Sequence, residues 1–478
     1  MFFRKSALTI ILLSFPLTLL FAQKSYKISL QIDGLNDSIL LLASYNGDKQ
    51  FVADTAYKNR GSGYSFTGIR LLPEGMYFVA GSNKTKLFDF IISGKQEFTI
   101  TGKNESLPGS LNAKNSNENQ TFFNYVRFLA DKQKQQVKLV ELKKRLTTNS
   151  DSAEVVDNQI SLLNEEVKRY VAGIINTNPG SFISAFLKSM QEPEIPPVPV
   201  LSNGRPDSTF NFRYYKAHFW DNTDLADDRM VRTPFLHNKV EQYLSKLTSP
   251  APDSLIAAID GLFRRAGNNE ETFKYLMWYF TIKYESSDIM GYDAIFVHLV
   301  DTYYADPKMK WMNLTVKENL IKRAKTLRPL LIGKNAPELI LLDTLQRPVS
   351  LYKIPSEFTI IYFWDPDCSH CKKETPLLRD FYAKNKTIFD FEVYAVCMDT
   401  SWKDMKKYII KNETRWINVN GFYSLTNDFR DLYDVHSSPV MYLLDRNKKI
   451  IAKRILTERM AEILAVKSQK ESIKQELH

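Results

Sequence analysis

The stretch 358–374, FTIIYFWDPDCSHCKKE, limits what this chain can fold into more than any other. Phe358–Trp364 is an apolar run of β-branched and aromatic residues, short enough for a buried strand and too short for a helix of ordinary length. Asp365-Pro366-Asp367 breaks it. Cys368 and Cys371 follow at C-x-x-C spacing, and Leu377, Leu378, Phe381 and Tyr382 then recur at helical spacing. Strand, tight turn, paired cysteines and helix place two sulfurs at a helix N-terminus, beyond the end of a strand. A disulfide closing so short a loop removes little chain entropy and is a poor staple. The spacing therefore points to thiol–disulfide chemistry.

Around that stretch, residues 333–478 read as one α/β domain. The pattern predicts a hairpin over 339–351 and strands at 358–364, 391–398 and 416–419. It predicts helices at 371–384, 402–411 and 425–434. Two last strands at 439–444 and 450–455 flank a turn at Asn447-Lys448, and a helix over 458–466 closes the domain. Alternating β and α elements followed by a hairpin describe a mixed sheet covered on both faces.

The preceding chain changes period once. Over 24–110, Tyr26, Ile28, Leu30 and Ile32 fall on every second residue, and Asp33-Gly34, Asn46-Gly47, Pro73-Glu74-Gly75 and Ser93-Gly94 mark turns. Short strands with regular turns predict a small antiparallel, sandwich-like β domain. Over 115–330, Val156, Ile160, Leu163, Val167, Tyr170 and Ile174 form a helical stripe. A proline-rich break at 192–199 must be extended. Arg328-Pro329 and Gly333 mark the boundary to the last domain. The expected fold is thus all-β, then all-α, then α/β.

Length agrees, because single cores stop growing at roughly 250–300 residues and the chain has 478. At the N-terminus, Arg4 and Lys5 precede an apolar run over 8–21, which Pro16 interrupts and Ala22 follows. This predicts a cleavable secretory signal over 1–22 rather than a membrane anchor, and so an exported mature protein. The formal charge is +10, but lysines and arginines are spread among glutamates along helices, which favours a solvated surface over a nucleic-acid partner. Three cysteines in an exported chain cannot form a disulfide scaffold. His218, His237 and His298 stand alone, so no metal is expected there, and no cofactor is implied. Cys397 falls within an apolar strand and reads as a buried, inert thiol.

The last domain resembles TlpA-like disulfide reductases of thioredoxin fold, found in bacterial cell envelopes and related to the AhpC/TSA group. The resemblance rests on Gly333-Lys334-Asn335-Ala336-Pro337, on Phe363-Trp364, on Cys368 through Pro376 (CSHCKKETP), and on Ser438-Pro439 followed by 440–445. The regions ahead of it resemble those preceding such modules in Bacteroidetes-type proteins. The resemblance implies a thioredoxin-like domain over 333–470 with Cys368 as attacking thiolate and Cys371 as resolving thiol. His370 would stabilise the thiolate and Glu374 would assist proton movement behind the dithiol. It implies a cis Pro439 which, with Ser438, faces a substrate peptide, and a Trp364 that shields the dithiol and borders the bound substrate, with a core role as the alternative for Trp364. Thioredoxin itself carries a buried aspartate where this chain has Tyr362, which makes Glu374 the proton carrier.

Partners implied by the resemblance are cysteines of periplasmic or other cell-envelope proteins, together with a membrane electron donor, as in cytochrome c-type biogenesis. Two alternatives remain open. A thiol peroxidase of AhpC/TSA type places Thr or Ser three residues before its attacking cysteine, where this chain has Asp365. A non-catalytic, redox-sensing binding protein would use the first two domains for capture.

Overall fold

The structure, a computed structural model, describes residues 25–59, 63–146 and 151–476; the expected export signal lies outside the described residues. The chain divides into two compact units, Met1–Val240 and Glu241–His478.

The first unit opens with eight strands: β1 (Tyr26–Asp33), β2 (Ile39–Asn46), β3 (Lys49–Tyr57), β4 (Tyr64–Gly68), β5 (Gly75–Gly81), β6 (Lys86–Ile92), β7 (Glu97–Lys103) and β8 (Asn112–Lys114). They form two four-stranded sheets, ordered β4-β1-β7-β8 and β3-β2-β5-β6. The alternation in β1 does what its period requires, since Tyr26, Ile28, Leu30 and Ile32 are all buried. The expectation of purely antiparallel pairing is corrected: β1 and β7 run parallel, from Lys27↔Glu97 to Asp33↔Lys103. That pairing joins segments far apart in sequence, so no local pattern encodes it.

Helices α1 (Asn117–Arg145) and α2 (Asp151–Thr177) follow. Val156, Leu163 and Ile174 of the stripe are buried, and Tyr170 stacks on Phe128 of α1 with centroids 4.0 Å apart. Helices α3 (Phe182–Ser189) and α4 (Phe210–His218) flank the proline-rich stretch, which is neither helix nor strand over 192–199. The unit boundary falls within α5 (Leu236–Lys246).

The second unit combines α6 (Pro252–Ala266), α7 (Glu270–Glu285), α8 (Asp293–Tyr303) and α9 (Leu314–Leu327) with the α/β domain. The densest contacts therefore do not follow the break at 330–333. Gly333 turns the chain there at φ +86, a conformation that glycine adopts without strain, and its N–H meets Ile450 O at 2.7 Å.

The α/β domain contains β9 (Ile340–Asp343), β10 (Pro348–Ser350), β11 (Phe358–Trp364), α10 (Ser369–Phe389), β12 (Phe391–Cys397), α11 (Trp402–Asn412), β13 (Ile417–Ser424), α12 (Phe429–Tyr433), β14 (Val440–Leu444), β15 (Ile450–Lys453) and α13 (Thr457–Glu476). Its seven-stranded sheet is ordered β10-β9-β13-β12-β11-β14-β15. Strands β11, β12 and β13 are parallel, and the outer pairs are antiparallel. This is a thioredoxin-like fold. All seven residues of β11 are buried because both faces of the sheet are covered. Phe358, Ile360, Tyr362 and Trp364 share one core with Cys371, Leu378, Met405 and Met460. Ile361 and Phe363 point into the other, with Leu330, Leu339, Phe429 and Tyr433. Burying such side chains contributes roughly 1.5–3 kcal/mol each, and this fixes the strand end on which the cysteines stand.

Candidate active site

Strand β11 ends at Trp364, whose carbonyl accepts from Met398 N–H at 2.7 Å. The turn is tied by Asp365, whose Oδ1 accepts from Asp367 N–H at 2.8 Å while its carbonyl accepts from Cys368 N–H at 3.3 Å. Helix α10 then starts at Ser369, two residues earlier than its apolar pattern suggests. The reason is local: Cys368 is itself the N-cap, and its Sγ accepts from the backbone N–H of Cys371 at 3.3 Å. A sulfur at that position meets the unpaired N–H groups and the positive helix end.

The two cysteines occupy unlike surroundings. Both are free thiols; Cys368 is half-buried and Cys371 fully buried. Burial raises the Cys368 pKa, but hydrogen bonding with the Ser438 side chain and with the N–H groups of Cys371 and His370 outweighs it and leaves the thiol below its ordinary value. For Cys371, burial dominates and pushes the thiol up to about 12. One sulfur is thus eased toward the thiolate while its neighbour is held toward the protonated thiol.

The loop before β14 closes over this pair. Ser438–Pro439 is a cis peptide bond, and the Ser438 carbonyl accepts from the Cys368 thiol at 3.2 Å. Pro439 lies beside it, partly exposed. The structure therefore brings Cys368, Cys371, Ser438 and Pro439 together. The His370 imidazole is exposed, and the residue reaches Cys368 through its backbone N–H.

Glu374 is 7% exposed, and its Oε1 accepts from Thr457 N–H at 2.7 Å. It therefore caps α13. On α10 it stands one turn beyond Cys371, and so on the same face. The placement of Trp364 is a correction. Its ring is 2% exposed and stacks on Tyr408 with centroids 4.6 Å apart. It walls the dithiol from inside and has no surface to offer a substrate. Cys397 is fully buried, and burial pushes its thiol up to about 12.

Behind Cys371 lies a hydroxyl network not expected from the sequence. Tyr408 O–H reaches Cys371 O at 3.1 Å and Thr375 Oγ1 at 3.0 Å, and Tyr362 O–H lies 2.7 Å from the same Thr375 oxygen. Tyr362, at thioredoxin's aspartate position, is buried in this network, and burial holds its phenol far above the ordinary range. Thr375 is visible in the CSHCKKETP run, whereas Tyr408 arrives from α11 and leaves no local sign. Among the described residues no cluster of His, Cys, Asp or Glu is arranged to hold a metal, and no helix is long and apolar enough to cross a membrane.

Two families match parts of the chain. Residues 141–326 match a domain of unknown function (DUF5106), and residues 356–450 match the family described as thioredoxin-like. Thiol-disulfide oxidoreductase ResA of Bacillus subtilis (strain 168) is 28% identical over 132 residues, which are 27% of this chain and 69% of that protein. A ResA of Bacillus cereus is 25% identical over 126 residues, 26% of this chain and 69% of that protein. Among solved structures, a domain of a possible thiol-disulfide isomerase from Cytophaga hutchinsonii ATCC 33406 is 38% identical. The match covers 31% of this chain and 98% of that one, with a TM-score of 0.28.

Proposed function

Starting from a C-terminal domain that belongs to the TlpA-like thiol–disulfide oxidoreductases of thioredoxin fold, we propose that this chain is an exported reductase of cell-envelope protein disulfides. The observation that carries the reading is the asymmetry of the pair: Cys368 half-exposed with a lowered pKa, Cys371 buried and pushed up to about 12.

In the proposed cycle the Cys368 thiolate attacks one sulfur of a substrate disulfide. That S–S bond breaks, a mixed disulfide forms, and the other substrate sulfur leaves as a thiolate that takes up a proton. Cys371 then gives up its proton and attacks Cys368 Sγ. The mixed disulfide breaks and the second substrate thiolate departs. The substrate gains two electrons, and the protein holds a Cys368–Cys371 disulfide. Resolution requires a base, since a thiol near pKa 12 is almost wholly protonated at neutral pH. Glu374, on the same face of α10, is our candidate to accept that proton. His370 stabilises the thiolate, and Ser438 with Pro439 lines the approach of the substrate backbone. A membrane electron donor returns two electrons to the disulfide, as the oxidising compartment demands.

The test is insulin disulfide reduction by the full chain beside Cys368→Ser and Cys371→Ser. Loss of turnover in both variants, with a trapped mixed disulfide in Cys371→Ser, supports the reading. Undiminished turnover in both removes it.

A further inference from the structure

A cleft of about 420 Å³ in the second unit begins at Pro439. One wall comes from the α/β domain, with His436, Arg454 and Leu456, and the other from the helical segment, with Glu285 of α7 and Arg323 of α9. The cleft adjoins the reacting sulfur, because the Ser438 carbonyl that precedes Pro439 holds the Cys368 thiol. Extended polypeptide advances about 3.3 Å per residue, so side chains within about three residues of a substrate cysteine fall within reach of its mouth.

The electrostatics are layered. At the floor lies Asp434, its side chain 2% exposed, on which Arg323 and Arg454 converge, the latter at 2.8 Å, with His436 at 3.7 Å. Above that covered carboxylate, solvent meets Arg454 at 44% and His436 at 71% exposure, against Glu285 at 35%. Glu285 is itself engaged with Arg323 at 3.6 Å. Arg454 turns its Nη2 toward Asp434, and a guanidinium carries five N–H donors, so an incoming carboxylate can take a second, charge-assisted pair.

Resting on the reductase reading, we infer that this cleft, to which the helical segment contributes Glu285 and Arg323, selects protein substrates with an aspartate or glutamate close to the reactive cysteine. The acid binds Arg454 with His436 beside it. The helical segment thereby has a role at the dithiol: Arg323 shares Asp434 with Arg454 and so positions the recognising guanidinium.

The test uses the full chain, reduced, in single-turnover reaction with peptides joined to 2-mercaptoethanol through one cysteine. One peptide carries Glu and its twin Lys about two residues from the cysteine. The expected kcat/KM ratio favours Glu by about tenfold, the size of one charge-assisted hydrogen bond. Both Arg454→Gln and His436→Glu should bring that ratio toward unity. His436 is exposed enough for its replacement to fold, and a ratio cancels any change in thiol reactivity. Equal rates for both peptides, a preference intact in both variants, or one that persists when Glu is moved far from the cysteine would each overturn the inference. The last outcome would reflect only the overall charge of +10. Reduction of 2-hydroxyethyl disulfide separates the two levels. If it proceeds while the peptides are treated alike, only the cleft is refuted; if neither it nor the peptides react, the dithiol reading falls first.

Discussion

Replacing Cys368 with serine leaves Cys371 as the only cysteine of the pair and exposes what burial does to it. Its thiol is pushed from 9.0 to about 12, chiefly by desolvation, with Cys368 a lesser contributor. Three pKa units correspond to about 4 kcal/mol against the thiolate. At pH 7 the ionised fraction falls from about one part in 10² to about one in 10⁵. Iodoacetamide labelling of folded Cys368→Ser, followed by mass spectrometry of the Cys371 peptide, should therefore run up to about a thousandfold slower than in the denatured chain. In the reverse variant, Cys371→Ser, labelling of Cys368 should level off below pH 9.0, its ordinary value. A Cys371 that labels within about tenfold of the denatured thiol would refute the assignment of roles.

Glu374 offers a second separation, because it caps α13 and stands behind the dithiol. Glu374→Ala leaves the buried Thr457 N–H without its acceptor and should lower stability by about 1–3 kcal/mol in urea melts. Glu374→Gln keeps an acceptor oxygen there, so it should melt near wild type while insulin reduction slows by about 10²-fold. The helical segment is fastened to β15 where buried Lys453 pairs with Asp293 and donates to Leu330 O at 2.7 Å. Asp293→Ala should cost about 3–5 kcal/mol in the same melts. The sign with pH follows from burial, which holds Lys453 below its ordinary 10.5. The folded chain sheds that proton first, so in this variant stability should rise with pH up to about 10.5 as the penalty is relieved.

Much of the α/β domain was legible because its information is local. Phe358–Trp364 matches β11 end to end: a short run that is apolar or aromatic at every position but Thr359 fits a strand covered on both faces. The dithiol and the proline before β14 were readable as motifs. What was not legible depends on contacts distant in sequence. Trp364 could be read as a shield for the dithiol or as a core residue, and the sheet's alternation sends it into the core with Ile360 and Tyr362. Tyr408 joins Cys371 across 37 positions, and Asp434 gathers Arg323 from 111 positions away. Lys448 sits in the turn expected at Asn447-Lys448. It is 2% exposed, its Nζ 2.9 Å from Ile354 O and 2.8 Å from Thr359 Oγ1. A lysine in a turn gives no sign that its ammonium is turned inward.

Exchange of Cys368 and Cys371 between dithiol and disulfide underlies the proposed activity. Equilibrating the full-length protein across dithiothreitol or glutathione buffers, with free thiols counted at each potential, measures it directly. One two-electron transition is expected, with the ratio of forms changing tenfold for about every 30 mV. The chain should pass from three thiols to one, the survivor being Cys397. The transition should vanish in Cys368→Ser and in Cys371→Ser. A count that stays at three under every buffer, or a transition that persists without either cysteine, would contradict it.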